Sequence, residues 1–99
     1  MLFFGKEGEK MNTYKFIIKG KVQGVYYRKT ILDVAKRLNY KGEVKNLKNG
    51  DVQVIVNLDA SNFESFVAIL KKGSSFSKVS NLISTKLNTQ KFTTFSITH

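Results

Sequence analysis

The run from Lys41 to Leu58 constrains the chain more than any other stretch. Two arms, Lys41 to Leu47 and Val52 to Leu58, flank Lys48-Asn49-Gly50-Asp51. Asn-Gly is the strongest short turn signal, because both residues accept positive φ. The second arm alternates, with Val52, Val54, Val56 and Leu58 on one face and Gln53, Ile55 and Asn57 on the other. Such period-two patterning belongs to a strand that is apolar on one side only, and that side must be buried against a second layer.

The layer is supplied on both sides of the hairpin. Ahead of it, Tyr14 to Lys19 alternates as a first strand with Tyr14, Phe16 and Ile18 on its apolar face. From about Tyr26 to Asn39, Ile31, Ala35 and Leu38, joined by Leu32 and Val34, recur near helical spacing, while Lys29, Asp33, Lys36 and Arg37 form the wet side. Asn39 suits the left-handed conformation of a helix terminator. After the hairpin, Ser61-Asn62-Phe63-Glu64 reads as a capping box. Phe63, Phe66, Val67 and Leu70 then form an apolar stripe, and Lys71-Lys72-Gly73 an end signal. A fourth strand is expected over Val79 to Leu87, and a short fifth around Phe95 and Ile97. The order βαββαβ plus a fifth strand is that of an α+β ferredoxin-like sandwich, with two helices on one face of an antiparallel sheet.

Between the first strand and first helix lies Gly20-Lys-Val-Gln-Gly-Val-Tyr-Tyr-Arg28. A glycine-containing turn that runs into a helix directs backbone N–H groups and the positive dipole end outward, which favours an anion such as phosphate. Arg28 falls in the first helical turn, and its planar guanidinium can grip phosphate oxygens through two parallel hydrogen bonds. The bland reading of these residues is a tight turn followed by a helix surface charge. For Asn46 the bland reading is a residue opening the hairpin turn.

Gly20-x-Val22-Gln23-Gly24-Val25-x-Tyr27-Arg28, followed by Gly42-x-Val44-Lys45-Asn46 and Gly50-x-Val52, resembles the acylphosphatase family, small enzymes that hydrolyse carboxyl phosphates. The resemblance covers Tyr14 to the C-terminus, and two linked motifs are more specific than one glycine loop. It implies that Arg28 binds the substrate phosphate and Asn46 orients the attacking water. Val22, Gln23, Gly24, Val25, Tyr26 and Tyr27 then form the substrate-binding loop. Tyr27 stands where Phe is common and adds a hydroxyl expected to meet solvent or ligand; Glu43 stands where an aromatic is common, and Ser74-Ser75 where prolines are common.

Composition agrees with that chemistry without choosing it. Ninety-nine residues suffice for one core. Cysteine is absent and the single histidine is His99, so thiolate or imidazole metal sites and a nucleophile-histidine relay have little to build on. No dense carboxylate cluster suggests Mg²⁺, and no metal or cofactor is expected. Expulsion of a carboxylate, whose conjugate acid has a pKa of ~4, needs no general acid. The net charge of +10, from 17 Lys and Arg against 7 Asp and Glu, attracts anions of any kind. Among the 17, Arg28 and Arg37 are the arginines, and Arg37 reads as an outer-face helix charge.

The competing classes are a basic ferredoxin-like RNA-binding domain and a non-catalytic anion-binding module. The first wants exposed aromatics on central strands, yet Tyr14 and Phe16 share the apolar face and the strand from Asp51 to Leu58 has none. The second needs no Asn46.

The partners expected are a small acyl phosphate and its product, inorganic phosphate, with no membrane or nucleic acid. A monomer in the cytoplasm is the simplest state. Residues 1–12 read as a flexible leader and 13–99 as the domain. Codons for Lys6-Glu7-Gly8-Glu9-Lys10 would resemble a ribosome-binding sequence, so translation is suspected to begin at Met11. Terminal mass analysis of the native protein checks this; a native N-terminus at Met1, or at Leu2 after methionine removal, would exclude it.

Overall fold

The computed structural model describes residues 11–99. The expected leader lies outside the described residues up to Lys10. Its last two members, Met11 and Asn12, belong to the first strand.

The elements in chain order are β1 (Met11–Lys21), α1 (Tyr27–Arg37), β2 (Lys41–Asn46), β3 (Val52–Asp59), a 3₁₀ turn (Ala60–Asn62), α2 (Phe63–Lys72), β4 (Lys78–Leu87) and β5 (Phe95–Ile97). They build one sheet in the order β4-β1-β3-β2-β5. The first four strands pair antiparallel, as the ferredoxin-like pattern predicts. β5 joins β2 in parallel and makes the sheet mixed. Chain direction explains this: β4 runs opposite to β1, so the next strand returns in β1's direction, which is also that of β2.

Alternation places the core as read. Phe16 and Ile18 of β1, Val52, Val54, Val56 and Leu58 of β3, Ile31 and Ala35 of α1, and Phe66 and Leu70 of α2 are all buried together. Tyr14 packs edge-on against Phe63 with ring centroids 4.9 Å apart, so the aromatic side chains of β1 face the helices. The opposite face of the central strands presents Lys15, Ile17 and Lys19 beside Gln53, Ile55 and Asn57, without the aromatic platform that an RNA-binding sheet requires.

Three local expectations are corrected. The hairpin turn does not place both Asn49 and Gly50 at positive φ; Gly50 alone does, at 99°. Gly50 N–H donates to Leu47 O and Leu47 N–H to Asp51 O, so the loop is a tight turn closed by a glycine bulge. The Ser61–Glu64 capping box is not formed. Asp59 caps instead, its Oδ1 accepting from Ser61 N–H and from the Ser61 hydroxyl, and the chain makes a 3₁₀ turn before α2 begins at Phe63. Leu38 lies past the end of α1 and is half exposed rather than core. Asn39 does adopt the left-handed conformation, with φ 64°.

Candidate active site

The ends of β1, β2 and β5 and the start of α1 converge at one end of the sheet. Gly20 is not part of the connecting turn, contrary to the sequence reading. It sits within β1 at a register shift between Lys19 and Gly20, and a Cβ there would run into the Lys78 carbonyl of β4. The loop proper runs from Val22 to Tyr26. Val22 and Val25 anchor it by burial, and the Gln23 side-chain amide donates to both Leu47 O and Asp51 O at 2.8 Å. Gln23 therefore ties the loop to the hairpin that carries Asn46. Asp51 continues the tie, since its carboxylate accepts from Lys19 Nζ at 2.7 Å and from Asn49 Nδ2 at 3.1 Å.

Between these anchors the backbone alternates in hand. Gly24 has φ 71° and Tyr26 φ 63°, with Val25 between them outside the positive region. Nothing lies within 4 Å of a Cβ at Gly24, so the backbone conformation, and not crowding, asks for glycine there. Alternating handedness turns successive N–H groups toward one concave side, an arrangement suited to anions. Among the described residues, no loop or cap hydrogen bond takes its donor from the backbone of Gln23 through Arg28.

α1 begins directly after this loop. Its first turn holds Arg28 and Lys29, no acidic residue, and no side-chain cap. A cavity of about 360 Å³ opens there, lined by Val22, Gly24, Tyr26, Tyr27, Arg28, Lys29 and Ile97. Lys29 is held on the outside by both Asp33 carboxylate oxygens, at 2.9 and 3.0 Å. Arg28 is half-buried and, among the described residues, makes no ion pair.

Asn46 is the last residue of β2 and does not line this cavity. It lies two positions beyond Val44, whose partner on β5 is the cavity residue Ile97, and so about 7 Å along the strand from that pairing. Its Oδ1 is buried and, among the described residues, accepts no hydrogen bond; Thr98 Oγ1, just beyond β5, is in the same condition. Buried polar atoms are nearly always paired, so both are unusual.

The structure thus brings Val22, Gly24, Tyr26, Tyr27 and Arg28 around one cavity, with Gln23 and Val25 as its supports and Asn46 at the neighbouring strand end. Tyr27 touches the cavity as part of the helix start. Its hydroxyl, which the sequence left free for solvent or ligand, is buried and donates to Leu70 O at 2.7 Å. Burial pushes this phenol well above its ordinary pKa.

Sequence reasoning missed Ile97, whose place depends on the parallel pairing of β5, and Ser74. The Ser74 hydroxyl donates to Val25 O at 2.6 Å and fastens the loop from the far side. Its position among serines in a loop gave no signal of that role. Among the described residues, no group of three His, Cys, Asp or Glu side chains is placed to hold a metal ion, and no helix is long and apolar enough to cross a membrane.

The acylphosphatase family model matches residues 14–97. The chain is 35% identical over 89 residues to an acylphosphatase of Treponema denticola, covering 90% of this chain and 95% of that one. It is 43% identical over 72 residues to an acylphosphatase of Clostridium beijerinckii, covering 73% and 80% respectively. The crystal structure of acylphosphatase from Bacillus subtilis superposes with a TM-score of 0.83 at 32% identity, over 91% of this chain and all of that one.

Proposed function

As a member of the acylphosphatase family the chain is an acylphosphatase, and we propose how its residues divide the work of hydrolysing a carboxyl phosphate. The Val22–Tyr26 loop and the open start of α1 receive the phosphoryl group through backbone N–H groups, and Arg28 neutralises its oxygens. Asn46 orients the attacking water through its carboxamide, aiming an oxygen lone pair at phosphorus. The new P–O bond forms opposite the acyl oxygen, the bond from phosphorus to that oxygen breaks with its electron pair, and a carboxylate leaves. The water proton passes to a phosphate oxygen of the substrate itself, so no enzyme carboxylate acts as base. Catalysis is then positioning and charge stabilisation, without a metal ion.

The observation that carries this reading is the uncapped start of α1, where Arg28 lines the cavity and, among the described residues, makes no ion pair, with the Asn46 carboxamide at the neighbouring strand end and its oxygen unused by any of the described residues. An asparagine that merely opened a turn would spend this acceptor on nearby backbone. A phosphate-binding module would not need it.

The test is hydrolysis of benzoyl phosphate in EDTA by the parent, Asn46→Ala and Arg28→Lys. The parent turns over. Asn46→Ala loses about 10²-fold or more in kcat while inorganic phosphate still inhibits. Arg28→Lys weakens that inhibition, because an ammonium cannot reproduce the paired hydrogen bonds. A folded parent without turnover would leave an anion-binding module, and equal rates in all three would remove the assigned roles. A rate abolished by replacing one Asp or Glu would overturn the substrate-assisted proton transfer. We further place the enzyme as a monomer in the cytoplasm, acting on a small-molecule substrate; sedimentation of the purified protein and fractionation of its cells check these two points.

A further inference from the structure

An acyl phosphate offers two electrophilic atoms. Water aimed at phosphorus hydrolyses it, whereas an amine attacks the acyl carbon and keeps the acyl group. Of the residues lining the cavity at the start of α1, Lys29 is the one with a primary amine. The guanidinium of Arg28 stays protonated and is no nucleophile, and the Tyr27 hydroxyl is spent on Leu70 O. An enzyme that binds acyl phosphates therefore carries, beside its cradle, a group able to take the acyl group for itself.

Asp33 decides where that amine sits. Lys29 Nζ donates to both Asp33 carboxylate oxygens, at 3.0 and 2.9 Å. Helix side chains lean toward the N-terminus, over the turn that precedes their own Cα. An unrestrained lysine at position 29 therefore lies back over the loop that receives the phosphoryl group. Asp33 is one turn further along α1, about 6 Å by helix rise, and is not among the residues lining the cavity. The pair turns the amine along the helix and away from the mouth.

Fold stability does not account for this pair. Its side chains are 65% and 51% exposed, and an ion pair so open to solvent contributes little. A lysine ahead of its acid is also the less favourable order along a helix, with the cation at the positive end of the dipole. Asp33 has Lys36 and Arg37 three and four positions beyond it, in the order a helix favours, yet its ion pair is with Lys29.

We propose that Lys29 is the self-acylation site of this enzyme and that Asp33 is the positioning residue that keeps it from reacting with bound acyl phosphate. This rests on the hydrolase reading above. When the pair opens, the deprotonated amine directs its lone pair at the acyl carbon. An N–C bond forms, the bond from the acyl carbon to the bridging oxygen breaks with its electron pair, and the nitrogen proton passes to the departing phosphate. The products are an acylated lysine and inorganic phosphate. The new amide is uncharged, so each such event costs the site a cation next to Arg28 and leaves an acyl group beside the cradle.

The test incubates four proteins with benzoyl phosphate at mildly alkaline pH: the parent, Asp33→Ala, Asp33→Glu, and the double variant Lys29→Arg with Asp33→Ala. Phosphate release is followed throughout, and peptide mass spectrometry locates the benzoyl groups. Lys36, exposed on the same helix and not lining the cavity, is the internal reference. Alanine at the exposed position 33 retains the helix. In Asp33→Ala, Lys29 is benzoylated about tenfold or more faster than in the parent, and faster than Lys36, because bound substrate is presented to it at high effective concentration. Inorganic phosphate fills the cradle and suppresses labelling of Lys29 but not of Lys36. Asp33→Glu restores protection. Phosphate release decays with turnover in Asp33→Ala and holds steady in the double variant. Equal labelling of Lys29 in the parent and Asp33→Ala overturns the proposal, as does labelling of Lys29 no faster than Lys36 or insensitive to phosphate; sustained turnover in the same samples then leaves the hydrolase reading standing. A parent that releases no more phosphate than its labelled lysines account for overturns the hydrolase reading and this inference with it.

Discussion

The two helices end alike and begin in opposite ways. α1 finishes with Lys36 and Arg37 and α2 with Lys71 and Lys72, cations where the dipole is negative. At its start α2 has Glu64 in the first turn and a preceding 3₁₀ turn capped by Asp59. α1 has no acid, no side-chain cap, two cations in the first turn and a left-handed tyrosine as its N-cap. Each of these features works against a helix start considered alone. Together they make sense if an anion arrives there from outside. The helix that follows the rules serves the fold, and the one that breaks them carries the candidate site.

The largest effect comes from making α1 obey the rule. Arg28→Glu puts an acid where the dipole wants one, and the unliganded protein is expected to gain about 1 kcal/mol. Hydrolysis of benzoyl phosphate is expected to fall at least ~10²-fold, because the proposed phosphate cradle now carries the wrong sign. Thermal unfolding with and without inorganic phosphate separates the two consequences. Phosphate at roughly 100 times its dissociation constant stabilises the parent by about 2.7 kcal/mol and leaves the variant unmoved. Equal protection of both proteins would mean that anions do not bind at this helix start.

The same contrast explains what could be read beforehand. β3 was legible because its burial is strictly periodic: Val52, Val54, Val56 and Leu58 are all fully buried. The family was legible from a linked motif, since the spacing of Arg28, Asn46 and the loop residues along the chain carries the resemblance, and these are the residues of the candidate site. The capping of α2 was misread because Asp59 and Ser61 are both good caps, and which one wins depends on whether a 3₁₀ turn precedes the helix. Tyr27 was misread because a tyrosine at a site invites a role for its hydroxyl, whereas the Leu70 carbonyl that captures it is 43 residues away. Ile97 and the Ser74 tie were out of reach for a similar reason. Both depend on which strands and loops become neighbours, and no local pattern records that.

A smaller effect comes from undoing the rule at α2. Asp59→Ala removes an acceptor used by Ser61 N–H and by the Ser61 hydroxyl, and is expected to cost about 1 kcal/mol. Denaturant unfolding measures it, and a domain of this size would lose roughly 4–8 °C in Tm. Turnover of benzoyl phosphate at temperatures well below the transition is unaffected, since Asp59 lies at the far end of β3 from the loop. A matching loss of activity would join the two helix starts functionally and break the comparison.

The smallest effect is the most informative about strain. Tyr26→Gly relieves the left-handed penalty of about 1–2 kcal/mol, but glycine returns roughly 0.5–1 kcal/mol through the freedom it gains in the unfolded chain. The net expectation is a gain of about 0.5 kcal/mol, read as a small rise in Tm in phosphate-free buffer. The same variant loses the ring facing Phe76 and loosens the cradle, so kcat/KM for benzoyl phosphate falls as stability rises. Opposite signs from one substitution would identify position 26 as a place where stability is given up to hold a shape. A variant both less stable and less active would instead mean that the Tyr26 ring, despite its exposure, holds the loop through its contact with Phe76, and that the strain at this helix start is balanced locally before any substrate binds.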